Sequence, residues 1–302
     1  MKTYEPRATS NPDIFRVVDR AGNWDTYYIK SLDLYIRAAT AILKRGYAMP
    51  GLLQWAKNHT AEEAEQILQV AGDRGDAVHQ AIALILSGVQ VDRQTKVLAD
   101  NNVDYRNLTD SEWDCILSFE RFWNAHQPKL IAFEQTVANV QDGYAGTLDA
   151  IIRLTKSCGA RCCNCTDFVG YPVLVDWKTS GGIWDNYGAQ VAAYAMAWQE
   201  RPMPIHSTGI VRLGTNHKTT GGYQCEFYNP KETLNHYMEF LAAKRIDDAS
   251  YRPFDPAKEI FDIPETLSLT IEREEAAVPA KPKKSRKPRA KKAAAKSTKK
   301  AA

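Results

Sequence analysis

Gly143-Tyr144-Ala145-Gly146-Thr147-Leu148-Asp149-Ala150-Ile151-Ile152-Arg153-Leu154 and Tyr171-Pro172-Val173-Leu174-Val175-Asp176-Trp177-Lys178-Thr179 are the two stretches that decide the fold. Both are short, β-branched or aromatic runs bounded by Gly, Asp or Pro, which is the composition of strands. Leu130 to Val140 is a third run of this kind, and Asp142-Gly143 after it is a strong hairpin-turn signal. If the three strands form a meander, Asp149 and Asp176 lie on neighbouring strands. Alternation along the last strand sends Asp176 and Lys178 to one face, and Val173, Val175 and Trp177 to the other.

Downstream, the spacing predicts a helix over about 184–199. Two more strands follow at 205–213 and 222–228, joined through Gly214-Thr215-Asn216. A last helix over about 231–246 is led in by Asn229-Pro230. Strand, strand, strand, helix, strand, strand, helix predicts an α/β fold with a central mixed β-sheet flanked by helices. Residues 128–250 are expected to hold this core, with a cysteine-rich insertion at 156–168.

Upstream, residues 1–127 read as a mainly helical elaboration. Leu32, Tyr35, Ile36, Ala39 and Ile42 recur near helical spacing between Ser31 and Lys44, and Gly46 is a stop. Further helices are predicted over 52–57, from the Thr60 cap to about Val70, over 75–86 and over 111–126. There is no internal repeat.

The net charge of +3 hides a division. Between Lys281 and Lys300 there are eleven Lys or Arg and no acidic residue; removing eleven from 39 leaves 28 basic against 36 acidic groups, a net of −8 elsewhere. Residues 276–302 lack aromatics and cannot bury enough surface to fold alone, so a disordered basic tail is expected after a 251–275 linker. Such a tail is either a solubilising extension or a nonspecific nucleic-acid tether, and the tether is favoured. No apolar run is long enough to span a membrane, and the N-terminus lacks a signal-peptide core. A cytoplasmic protein without a membrane partner is expected, and its six cysteines are not expected to form disulfides.

A charged pair closing an apolar strand, as Asp176 and Lys178 do, is costly to bury without a task, although a strand that simply ends in solvent looks the same. An aspartate inside a buried strand, as Asp149 is, needs a partner or a metal. Two carboxylates suit Mg²⁺ or Mn²⁺, and the backbone carbonyl of Trp177 could complete the protein share. Lys178 could then orient an attacking water and stabilise developing charge. This combination is what metal-assisted phosphodiester cleavage requires.

The order of elements, with Gly146-x-x-Asp149, Asp176-x-Lys178 and Gln190-x-x-x-Tyr194, resembles the PD-(D/E)XK nuclease superfamily, and within it the RecB-like, Cas4-like exonuclease branch common in bacteriophages. The resemblance covers roughly residues 30–245. It implies a restriction-endonuclease-like fold and catalytic roles for Asp149, Asp176 and Lys178. It also implies metal-ligand roles for His79 and Glu134, and a bracing or DNA-approaching role for Gln190 and Tyr194. By context alone His79 is more often a surface or satisfied core residue, Glu134 an exposed strand residue and Tyr194 packing. The resemblance further implies DNA as partner, with a recombination annealing protein as a second one, in a host-cell cytoplasm.

Cys158, Cys162, Cys163 and Cys165 lie between the strands bearing Asp149 and Asp176. They are read either as a structural Zn²⁺ knuckle at a hairpin tip or as reduced thiols. Four ligands within eight residues is cramped, and the placement differs from that of the iron–sulfur cluster in Cas4-like proteins, so no such cluster is expected. The expected activity is Mg²⁺-dependent DNA hydrolysis, exonucleolytic in phage replication, recombination or DNA breakdown, giving 5′-phosphates. The competing readings are a non-catalytic DNA-binding protein that works through its tail, and a structure-specific or RNA-directed endonuclease of the same superfamily.

Overall fold

Strands occur where helix was expected. Arg7–Ala8 (β1), Ile14–Val17 (β2), Thr26–Ile29 (β3) and Leu34–Ala38 (β4) are successive antiparallel neighbours, with a single 3-10 turn at Lys30–Leu32 between β3 and β4, and the α-helix Ala39–Gly46 (α1) follows. The helical spacing from Leu32 to Ile42 straddles a strand–helix junction, and a short apolar run satisfies both templates. Tyr27, Tyr28, Tyr35 and Ile36 provide the aromatic and β-branched surface that favours the sheet. This computed structural model describes residues 6–19, 22–98, 105–160, 163–198, 203–214 and 221–250. The 251–275 linker, the 276–302 tail and Cys162 lie outside the described residues.

Pro50–Ala56 (α2) precedes Ala61–Leu86 (α3), which is one continuous helix rather than the two expected. Gly72 lies between the two expected helices and Gly75 opens the second, but each glycine costs a helix only about 1 kcal/mol. A capping box fixes the start: the Thr60 side chain accepts from the Glu63 N–H, and Glu63 accepts from the Thr60 N–H at 2.9 Å. The last turns bury Ala77, Val78, Ala81 and Ile82. Lys96–Leu98 (β5) and Tyr105–Asn107 (β6) form a separate two-stranded sheet. Asp110–His126 (α4) begins with a second capping box, Thr109 with Glu112.

The remaining elements match the sequence reading closely: Lys129–Asn139 (β7), Tyr144–Arg153 (β8), Pro172–Lys178 (β9), Asp185–Trp198 (α5), Ser207–Arg212 (β10), Gln224–Tyr228 (β11) and Pro230–Ser250 (α6). Gly143 has a φ of 70° in the β7–β8 turn, a conformation cheap only for glycine. β7, β8 and β9 form the antiparallel meander; β10 joins β9 in parallel through the α5 crossover, and β11 closes the edge. The result is a large mixed sheet of nine strands among the described residues.

Both faces of this sheet are covered. Val173, Val175 and Trp177 join Val78 and Ile82 of α3 and Phe119 and Phe122 of α4 in one core. Leu148, Ile151 and Leu174 join Ile42 of α1, Val191 of α5 and Phe240 of α6 in the other. The alternation read from β9 therefore holds, and the architecture is an α/β/α sandwich. Among the described residues, no helix is long and apolar enough to cross a membrane.

One edge of β8 is forked. β4 pairs in parallel with Tyr144 and Ala145, while β9 pairs with Ala150 to Arg153. Among the described pairings, Gly146 to Asp149 have no ladder partner on that edge. The fork opens where the two carboxylates meet.

Candidate active site

The β8–β9 ladder ends at Ala150 with Val175, one residue short of Asp149 on β8 and of Asp176 on β9. Asp149 fills the fork: its Oδ2 accepts from the Trp177 N–H at 2.8 Å, where a ladder carbonyl would otherwise stand. Leu148 and Ala150 belong to different cores although two residues apart, so β8 switches faces across Asp149. β7 has its own irregularity opposite, where Glu134 takes a φ of 47°. A left-handed glutamate inside a strand is strained by roughly 1–2 kcal/mol. This backbone distortion directs Glu134 and Asp149 into one cleft.

His79 enters from the buried end of α3. Its Nδ1 lies 3.2 Å from Asp149 Oδ1, and its Nε2 lies 2.8 Å from the Trp177 carbonyl oxygen. Both partners are acceptors, so the doubly protonated imidazolium fits. Burial opposes that charge, but Asp149 and, less strongly, Asp176 outweigh it and raise His79 to about 9. Burial, with Asp149 and Asp176 adding to it, raises Glu134 to about 7.

His79, Glu134 and Asp149 each offer a ligand atom, all within 4.8 Å of one another. Two carboxylates and an imidazole form a donor set that Mg²⁺ or Mn²⁺ accepts. Asp176 and the Trp177 carbonyl, the other two expected ligands, lie beside this group. The carbonyl is engaged by His79. Asp176 is 1% exposed, with Oδ1 accepting from Gln190 Nε2 at 3.0 Å and Oδ2 2.6 Å from Lys178 Nζ. That last contact is a buried ion pair, so each Asp176 oxygen has a partner.

Lys178 remains a cation. Burial lowers its pKa, but Asp176 and Asp149 more than offset that and raise it. Burial raises Asp176 to about 6, against the pull of Lys178. Gln190 joins the pair, since its Oε1 accepts from Lys178 Nζ at 3.2 Å while its Nε2 also donates to Tyr194 Oη at 3.3 Å. The Tyr194 ring lies against the backbone of Gly146, where a Cβ would come 2.3 Å from Cε1. The three short motifs of the sequence are therefore one packed unit.

No family model and no curated protein matches this chain.

The cleft in front of these groups has a volume of about 790 Å³. Arg16, Asp76 and Tyr187 line it and were not singled out by sequence. Tyr187 stacks under Lys178, with Nζ 4.7 Å from its ring centre. Its position three residues before Gln190 on α5 was the available signal. Arg16 comes from β2, a strand the sequence did not reveal. Arg74 of α3 donates to the Thr179 carbonyl at 2.7 Å, tying the helix to the end of the lysine strand.

A second group lies in the core that α3 and α4 form against the sheet. Cys158, Cys163 and Cys165 converge with His126, the last residue of α4, and these four could hold a metal such as zinc. His126 joins three of the four cysteines that the sequence singled out, and Cys162 lies outside the described residues.

Proposed function

We propose that this chain is a Mg²⁺-dependent DNA nuclease of the PD-(D/E)XK type with a restriction-endonuclease-like fold. The observation that carries the reading is the convergence, in one cleft, of His79, Glu134 and Asp149 as a ligand set beside the Asp176–Lys178–Gln190 network. A bound Mg²⁺ or Mn²⁺ would supply Lewis acidity and neutralise charge at the scissile phosphate. His79, Glu134 and Asp149 would hold it, with Asp176 on the neighbouring strand supplying a further carboxylate.

Lys178 would do the remaining electrostatic work. Its ammonium has donors only, so it stabilises charge on the attacking oxygen and the phosphoryl oxygens. Asp176 and Gln190 fix its position, and Tyr194 fixes Gln190. In-line attack of water on phosphorus would expel the 3′ oxygen and leave a 5′-phosphate. The basic tail, with its eleven Lys or Arg, adds charge attraction for the backbone of a nucleic acid.

The test is hydrolysis of end-labelled linear and covalently closed circular DNA, single- and double-stranded, with and without Mg²⁺. Exonuclease action predicts mononucleotides or short oligonucleotides with 5′-phosphates from linear DNA only, with a recombination annealing protein as a natural partner. Cutting of circles would replace exonuclease by endonuclease within the same reading. DNA binding without cleavage of any substrate in Mg²⁺ or Mn²⁺ would overturn it in favour of a non-catalytic binder.

A further inference from the structure

The His126 cluster has no part in the cleft chemistry, yet its arrangement is that of a built site. Cys158, Cys163 and Cys165 come from the β8–β9 connection, and His126 comes from the C-terminal end of α4. Cys163, Cys165 and His126 are buried, Cys158 is half-buried, and the four ligand atoms all lie within 4.8 Å of one another.

The distances suit one ion. A tetrahedral Zn²⁺ with Zn–S of about 2.3 Å and Zn–N of about 2.0 Å sets S···S edges near 3.8 Å and S···N edges near 3.6 Å. Cys158 Sγ and Cys165 Sγ are 3.5 Å apart, and Cys163 Sγ and His126 Nε2 are 3.9 Å apart. The surroundings also prepare the ligands. His126 Nδ1 lies 3.0 Å from the Phe122 carbonyl oxygen, an acceptor, so Nδ1 carries the proton and Nε2 turns its lone pair to the thiols. A ring N–H given to a carbonyl is the usual support for a metal-bound imidazole. The Cys158 backbone N–H donates to Cys165 Sγ at 3.4 Å, the kind of bond that stabilises a thiolate.

We propose that His126, Cys158, Cys163 and Cys165 bind one Zn²⁺ in a closed tetrahedral site that clamps the β8–β9 connection to the end of α4. Four protein ligands leave no open position, so the ion is structural and not catalytic. The clamp has a definite target. The two strands joined by this connection carry Asp149 and Asp176, and the ion would reinforce ties already there: the Thr155 and Lys156 N–H groups donate to the His126 carbonyl, Cys163 Sγ lies 3.2 Å from Cys225 Sγ, and Asn164 bonds the backbone of Phe227. Taking the fourth ligand from α4 also removes the crowding that four neighbouring cysteines would face. The proposal stands independently of the nuclease reading, since none of its readouts is hydrolysis.

The experiment is metal analysis of the full chain after dialysis, together with Co²⁺ reconstitution of the chelated protein. One zinc per chain is expected, and the Co²⁺ form should show a thiolate-to-metal charge-transfer band and the intense visible bands of a tetrahedral site. Cys165→Ser and His126→Gln should lose the zinc, whereas Cys162→Ser should keep it. Chelation should lower the thermal midpoint and speed amide exchange in 154–171. A folded wild-type protein that neither retains zinc nor takes up Co²⁺ overturns the proposal, even if every variant misfolds. Iron with acid-labile sulfide in place of zinc overturns it, as does zinc that survives His126→Gln but is lost in Cys162→Ser.

Discussion

Adding one methyl group at Gly146 tests whether the three motifs are a single packed unit. In Gly146→Ala the new Cβ would meet Tyr194 Cε1 at 2.3 Å, Cζ at 3.0 Å and Cδ1 at 3.2 Å. Tyr194 is 3% exposed and surrounded by core, so its ring cannot swing away freely. Overpacking of this kind costs about 1–3 kcal/mol. For a domain of this size that lowers Tm by roughly 2–12 °C. The displaced tyrosine also loses its bond to Gln190, which loosens Asp176 and Lys178, so DNA hydrolysis should fall along with stability. The decisive assay is a double-mutant cycle by denaturant unfolding. Tyr194→Ala removes the obstacle, so Gly146→Ala should be nearly neutral in that background. Additive costs, or an unchanged Tm in the single variant, would refute the packing account.

Two further outcomes follow from charge. In chelator-treated protein, His79 titrates near 9 against an ordinary 6.5, so the stability its charge contributes is complete below about 6.5 and lost as pH rises through 9. Glu134, raised to about 7, and Asp176, raised to about 6, bind protons more tightly when folded, so their burial becomes destabilising as pH rises past their unfolded values. Stability of the metal-free protein should therefore decline from about pH 4.5 to 9, and Mg²⁺ should restore most at the alkaline end, where its ligands have already lost their protons. Thermal melts across pH, with and without Mg²⁺, check this; a metal effect that shrinks with rising pH would contradict it. Deleting 276–302 removes eleven positive charges and should weaken DNA binding and flatten its dependence on salt without changing Tm. Identical salt slopes for the two forms would show that the tail does not touch DNA.

The core was legible because its signals are local. Asp142-Gly143 marks the hairpin, and alternation in Val173 to Lys178 separates the charged face from the apolar one. The N-terminal strands were missed because Leu32, Tyr35, Ile36, Ala39 and Ile42 fit a helix as well as a strand running into one. The two helices read as ending near Val70 and restarting at Gly75 are one, since the buried turns around Val78 and Ile82 hold α3 against the core.

Within the site, alternation put Asp176 and Lys178 on one face and the resemblance pointed to Gln190, yet neither could show that Lys178 pairs with Asp176 while His79 and Glu134 gather around Asp149. That division follows from the left-handed backbone at Glu134 and the face switch at Asp149, neither of which leaves a compositional trace. His126 was invisible for another reason. It is a lone histidine ending an apolar helix, and only the fold brings it to the cysteines.

The most direct test of the central claim compares wild type with Lys178→Met on linear DNA across a Mg²⁺ titration, with metal binding followed separately. Methionine keeps the aliphatic bulk of the side chain and removes the ammonium, with its charge and its bonds to Asp176 and Gln190. Because Lys178 stabilises reacting oxygens and is not in the ligand set, the variant should bind Mg²⁺ and DNA nearly as wild type does. It should hydrolyse DNA about 10²–10³-fold more slowly, the cost of removing one preorganised electrostatic group. Wild-type rates in Lys178→Met, or no Mg²⁺-dependent hydrolysis by the wild type, would contradict the account.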